Sequence, residues 1–142
     1  MKVKISKLNE GAITPVYSSK SAAGADLYNY KEEVVIDAGQ TVMVGTGIAM
    51  EIPEGYVGLV FARSGLACKQ GLAPANKVGV IDSDYRGEII VALHNHSSET
   101  KKVNKGERIA QIAIIPYLAC EFIEDELSLT ERGVGGFGST GK

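Results

Sequence analysis

Cysteine is scarce in this chain of 142 residues: only Cys68 and Cys120 occur, far apart and outside any CxxC spacing. A disulfide framework is excluded and a zinc site has nothing to build on, so both are expected to be small buried apolar residues. Long apolar runs are missing as well. No stretch approaches the roughly 18 to 20 residues that span a bilayer, and Met1 to Gly11, with Lys2, Lys4, Lys7 and Glu10, lacks the apolar segment of a signal peptide. The expectation is a soluble, cytoplasmic protein without a membrane partner, or a nuclear one if the source is eukaryotic or viral. Nor is there a basic excess: 15 Lys plus Arg against 17 Asp plus Glu leave a formal net charge of -2, whereas a dedicated nucleic-acid binder carries a surplus. Long DNA or RNA is therefore excluded as the main ligand. A small anion held by a few placed cations is not, because net charge says little about one local site.

Helical pattern is also thin. The best candidate runs from Ser64 to Gln70, with Ser64 as N-cap and Gly71 as stop. What is plentiful is glycine, 17 of 142 residues against a usual share of about 7%, and many tight turns must follow. Between the glycines lie short stretches rich in Val and Ile. Thr41 to Ile52, Tyr56 to Ala62, Glu88 to His94 and Arg108 to Ile115 read as strands. In the third, Ile89, Val91 and Leu93 alternate with Ile90, Ala92 and His94, the period of a strand with one buried face. Without helical crossovers a parallel sheet has no support, so the class is all-β, a barrel or sandwich of many short strands. No repeat or linker interrupts it, and only Thr130 to Lys142 differs in composition.

That tail carries two phosphate-loop patterns. Gly133, Gly135 and Gly138 satisfy GxGxxG, and Gly136 through Lys142 satisfies GxxxxGK. Both motifs work by aiming a helix N-terminus at phosphate after a buried strand, and no helix follows here, so both are decoys. Two readings remain. The tail is a flexible terminus, or Arg132, Phe137, Gly138, Ser139 and Thr140 supply a cation, an aromatic face, an open backbone and two hydroxyls to close over a nucleoside phosphate.

A second cluster runs from Val78 to Gly87 and includes Asp82, Asp84, Tyr85 and Arg86. Its carboxylates are turn formers in a hairpin, or one of them is a general base for water with Tyr85 as a plate for a sugar. His94 and His96 offer two ligands at most from one strand, too few for a metal or nuclease centre.

Five segments, in order along nearly the whole chain, carry a resemblance. They are Ala23-Gly-Ala-Asp26-Leu-Tyr28, Ala62-Arg63-Ser64-Gly-Leu-Ala67, Gly79-Val-Ile-Asp82-Ser-Asp84-Tyr85-Arg-Gly87, Gly106-Glu-Arg108-Ile-Ala-Gln111 and Arg132-Gly-Val-Gly-Gly-Phe137-Gly-Ser139-Thr140-Gly141. Together they resemble the five motifs of the homotrimeric dUTP diphosphatases (dUTPases). The resemblance implies a jelly-roll-like β-barrel over residues 1–131 with one short helix. Residues 132–142 would form a C-terminal arm closing over the site, and three copies would share three interfacial sites. It also implies Mg2+-assisted hydrolysis of dUTP to dUMP and diphosphate by water attack on the α-phosphorus, which keeps uracil out of DNA and supplies dUMP for dTMP synthesis.

Roles follow from the same resemblance. Asp82 is implied as the general base. Tyr85 would lie against the deoxyribose and crowd a 2′-hydroxyl, while Asn76 and the backbone from Gly79 to Asp82 would read the uracil edge. Arg63, Ser64, Gly65 and Gln111 would face phosphate, and Asp26 would hold magnesium indirectly, through water, as suits a cation that keeps its hydration shell. Arg132, Gly138, Ser139 and Thr140 would grip the γ-phosphate, and Phe137 would stack over the uracil. The rivals are a dCTP deaminase-like enzyme, which needs a glutamate near the base, and a non-catalytic, regulatory trimer that binds nucleotide or a protein partner.

Overall fold

The computed structural model describes residues 1–136. Among them are twelve short strands and one helix: β1 (Lys4–Lys7), β2 (Val16–Tyr17), β3 (Ala25–Tyr28), β4 (Val34–Ile36), β5 (Thr41–Gly45), β6 (Ile48–Glu51), β7 (Tyr56–Phe61), α1 (Ser64–Gln70), β8 (Leu72–Pro74), β9 (Gly79–Ile81), β10 (Ile90–Asn95), β11 (Lys101–Val103) and β12 (Arg108–Pro116). The largest sheet runs β2-β3-β12-β7-β9, a second runs β5-β10-β8, and β1-β6 and β11-β4 are two-stranded. Every pairing is antiparallel. The all-β, jelly-roll-like class read from the sequence therefore holds. The four sheets are paired separately and pack against one another without closing into one hydrogen-bonded barrel.

Strand period decides what is inside. Ile89, Val91 and Leu93 are buried while Ile90 between them is exposed, the two faces that a period of two requires. They join Leu27, Ile36, Ile48, Leu72 and Ile109 in one core, where trimming a single such side chain to alanine costs about 2–5 kcal/mol. No helix among the described residues is long and apolar enough to cross a membrane.

Three local expectations need correction. Thr41 to Ile52 is not one strand: β5 ends at Gly45 and β6 begins at Ile48. Between them Gly47 takes a φ of 67°, and a Cβ there would lie 2.7 Å from that of Ala12. Ser64 is not the N-cap of α1. That position belongs to Arg63, with extended backbone and no capping side chain, and Ser64 is the first helical residue. Gly71 does end the helix, in the left-handed region at φ 71°, its N–H directed to the carbonyls of Ala67 and Leu66. The cysteines are not buried. Leu66 is the only buried residue of α1, leaving Cys68 exposed, and Cys120 sits in the irregular run after β12. In that run Leu118, Phe122, Leu127 and Leu129 are almost fully exposed in the single chain.

The two-stranded ribbon β4–β11 is held by asparagines. Asn29 and Asn95, both fully buried, use their amides as struts. Asn29 Nδ2 donates to the carbonyls of Glu32, Val103 and Asn104, and its Oδ1 accepts from the N–H of Lys31. Asn95 Nδ2 donates to the carbonyls of Ile36 and Glu99, and its Oδ1 accepts from the N–H of Ser97. One side chain thus bolts the Val103 end of the ribbon and the other the Ile36 end.

Candidate active site

The large sheet brings Asp26, Arg63, Arg108 and Gln111 into one cluster. On its central strand, β12, Gln111 stands opposite Asp26 of β3 on one side and opposite Phe61 of β7 on the other. A register shift between Arg108 and Ala110 displaces Arg108 relative to Gln111. Arg63 follows β7 as the chain turns into α1. Its Nε donates to Asp26 Oδ1 at 2.9 Å, and Arg108 Nη1 donates to Asp26 Oδ2 at 3.2 Å. Arg63 Nη1 also donates to the carbonyl of Arg108 at 3.3 Å, and Gln111 Nε2 to that of Ala62 at 3.1 Å. Asp26 is only 7% exposed, and a carboxylate so placed needs both partners. Two cations around one carboxylate leave a net charge of +1. The guanidiniums carry further N–H donors, so the cluster presents positive charge and donors to an anion.

Asp26 and Gln111 line a cleft of about 330 Å³ together with Ser18, Gly24 and Phe61. Ser64 and Gly65 lie in the exposed first turn of α1, directly after Arg63.

The hairpin residues form a separate group. Beyond β8, Lys77 takes a positive φ of 65°, its N–H donating to the Pro74 carbonyl, and Asn76 approaches Gly79. β9 then pairs with β7, Gly79 opposite Val60. After β9 the chain turns at Asp82, whose carbonyl accepts the N–H of Tyr85 at 3.2 Å. Asp82, Asp84 and Tyr85 are exposed, and Tyr85 Oη donates to the Glu88 carbonyl at 2.9 Å. Asp82 lines a different, larger cleft of about 920 Å³ with Ser83, Asp84, Arg86, Glu51 and Tyr117.

Within one chain, then, Asp26, Arg63 and Gln111 are brought together, while Asp82 opens on another cleft. Arg132 is exposed in a small turn, its Nε donating to the Gly135 carbonyl at 2.8 Å. Phe137, Gly138, Ser139 and Thr140 lie outside the described residues. The residue that sequence reasoning left without a role is Arg108. Its signal was its place in Gly106 to Gln111, just after a glycine turn with φ 77°. His94 and His96 do meet, ring centroids 4.3 Å apart, and His94 Nδ1 lies 2.8 Å from Thr41 Oγ1. No third ligand joins them, since no group of three or more metal-ligating side chains occurs among the described residues.

Magnesium can be tested against this donor set. Both Asp26 oxygens already accept from guanidiniums, which leaves no free carboxylate edge for direct coordination but does leave lone pairs for a water. A cation that retains its water shell and takes most other ligands from a phosphate chain fits such a site.

Comparisons with known proteins identify the family. The family model described as dUTPase matches residues 10–141. The deoxyuridine 5'-triphosphate nucleotidohydrolase of Nautilia profundicola is 54% identical, each chain covered completely, and that of a Hydrogenobaculum species is 50% identical with 99% of each covered. Among solved structures, a dUTPase of Staphylococcus bacteriophage 80alpha bound to dUpNHpp superposes with a TM-score of 0.89 at 29% identity, over 99% of both chains. A dUTPase of phage phi11 of S. aureus, described with a structural Mg(II) ion, superposes with a TM-score of 0.80 at 27% identity, over 89% of this chain and 98% of that one. The class is that of all-β nucleotide hydrolases. The chain belongs to the dUTPase family.

Proposed function

We propose that this chain hydrolyses dUTP to dUMP and diphosphate, and that it does so at sites completed between three copies. The observation that carries the reading is the division of the site residues. Asp26 and Gln111 line one cleft, with Arg63 and Arg108 paired to Asp26 beside it, and the exposed Asp82 lines another. A second copy that set its hairpin against the first group would bring base and phosphate site together.

In that arrangement Asp82 takes the proton of the attacking water and aligns it with the α-phosphorus, and its exposed position beside a turn leaves it open to solvent until substrate covers it. Arg63, Ser64, Gly65 and Gln111 bind the phosphate chain, with Arg108 holding Asp26 and Arg63 in register. Asn76 and Gly79 bound the uracil pocket, whose amide and carbonyl partners set for uracil reject cytosine. Tyr85 faces the deoxyribose. Mg2+ would be held by the phosphates and, through water, by Asp26, and would supply charge neutralisation. Residues 132–142 act as an arm over a body formed by residues 1–131, Arg132, Gly138, Ser139 and Thr140 on the terminal phosphate and Phe137 on the base, excluding water as attack proceeds. The bacterial relatives support a cytoplasmic location.

Turnover of dUTP, dCTP, dTTP and UTP, each with magnesium and with chelator, tests reaction, base, sugar and metal together. Diphosphate release confined to dUTP is expected. Ammonia release from dCTP would favour the deaminase reading, and binding without turnover the regulatory one. Sedimentation should give three chains per particle. A chain ending at Glu131 is expected to keep the parent's melting temperature and lose most of its rate. Undiminished turnover would remove the arm from the mechanism.

A further inference from the structure

Tyr85 does not project freely from its hairpin. It folds back along its own loop, so that Oη donates to the carbonyl of Glu88 at 2.9 Å. The ring then lies across Gly87. A methyl group at Gly87 would collide with the Tyr85 hydroxyl and stand 2.6 Å from Cζ and 3.0 Å from Cε2, closer than non-bonded carbons pack. The backbone of Gly87 is outside the left-handed region, so its φ would accept alanine. What Gly87 provides is room.

The two sides of this contact differ in what can give way. Glu88 is fixed: its Oε1 accepts the N–H of Gly47 at 2.7 Å, and the next residue, the buried Ile89, gives its N–H to Ile48 and accepts from Thr46 Oγ1. Tyr85 is 43% exposed, and its ring turns about two side-chain bonds. A group added at Gly87 therefore swings the ring outward and leaves the core in place.

We propose that Gly87 is a positioning residue for sugar specificity: its missing side chain forms the seat on which the Tyr85 ring lies, and the Glu88 carbonyl is the stop at the ring's far end. The inference rests on the reading that Tyr85 faces the deoxyribose. It assigns selection against the 2′-hydroxyl to the seated position of the ring rather than to the presence of a tyrosine alone.

The test is the ratio of kcat/KM for dUTP over UTP in the parent, Gly87→Ala, Tyr85→Ala and the double variant, with the melting temperature of each. Gly87→Ala is expected to keep the parent's melting temperature and to lower the ratio by about tenfold or more, the scale on which a pocket's shape discriminates one small group. Adding Gly87→Ala to Tyr85→Ala should change the ratio no further, because no ring remains to be displaced. A merely structural role would lower stability and rate for both substrates alike and leave the ratio where it was. Should Tyr85→Ala lower the ratio while Gly87→Ala preserves it, the seat is overturned and the role of Tyr85 stands. Should Tyr85→Ala preserve it, the sugar-facing role and the seat both fall. If Gly87→Ala is not recovered folded, Tyr85→Phe decides: it keeps the ring and Gly87 but removes the bond to Glu88, so a lowered ratio sustains the seat and an unchanged one overturns it.

Discussion

Asp26 lies within one strand of the large sheet and Asp82 directly follows another, and the chain treats them in opposite ways. Asp26 is buried between two guanidiniums, its oxygens committed at 2.9 and 3.2 Å. Asp82 is exposed on a turn that backbone hydrogen bonds shape, and its carboxylate is left to face a cleft. A carboxylate fixed by two cations organises charge for an anion. One that faces an open cleft is within reach of a water that must give up a proton. The difference separates preorganised binding from chemistry within one sheet.

The sharpest way to break this contrast is to neutralise each carboxylate. Asp82→Asn should lower single-turnover rate by about two to four decades, with dUTP affinity by calorimetry and the melting temperature both unchanged. A variant keeping more than half of the parent rate would dismiss Asp82 as the base and make Asp84 the first candidate. Asp26→Ala should behave differently. It leaves Arg63 and Arg108 facing one another, so stability in urea should fall by roughly 1–3 kcal/mol. That is less than a fully buried pair would lose, because Arg108 is half exposed. An unshifted urea midpoint would mean that Asp26 is no more structural than Asp82.

The smallest effect lies outside both clusters and serves to separate stability from turnover. His96 titrates below the usual histidine range, first through loss of hydration, then through His94 and Lys77. The fold thus prefers the neutral imidazole. Its contribution is present above the ordinary pKa of about 6.5 and is lost as pH falls through that value toward the lowered folded one. His96→Gln should flatten the acid side of the stability curve slightly in urea titrations at several pH values, with the pH profile of dUTP turnover unmoved. A shifted turnover profile would place the histidine pair within reach of the site.

Much of this was legible in the chain. Alternation from Ile89 to His94 located a half-buried strand because period two is a property of the residues themselves, and Gly71 marked the helix stop because few other residues accept a left-handed φ. The break inside Thr41 to Ile52 was less visible: Gly45 and Gly47 signal it, but Val42, Val44, Ile48 and Met50 continue an apolar pattern across it. The Asp26–Arg63 pair was not legible, since 37 residues separate its members and only strand register brings them together. Cys68 misled because cysteine is usually buried, whereas one face of a short helix decides its exposure here. The arm residues beyond Gly136 rest on the motif alone.

The two buried asparagines that bolt the ends of the β4–β11 ribbon have a consequence for how the molecule opens. A two-stranded ribbon is marginal by itself and would ordinarily fray from its tips. Here fraying at either tip strips partners from an amide sealed inside the core, so partial opening carries much of the penalty of complete opening. In hydrogen exchange the ribbon amides, such as those of Val34 and Lys101, should therefore open together with the central sheet rather than ahead of it. A peripheral strand pair becomes part of the cooperative unit.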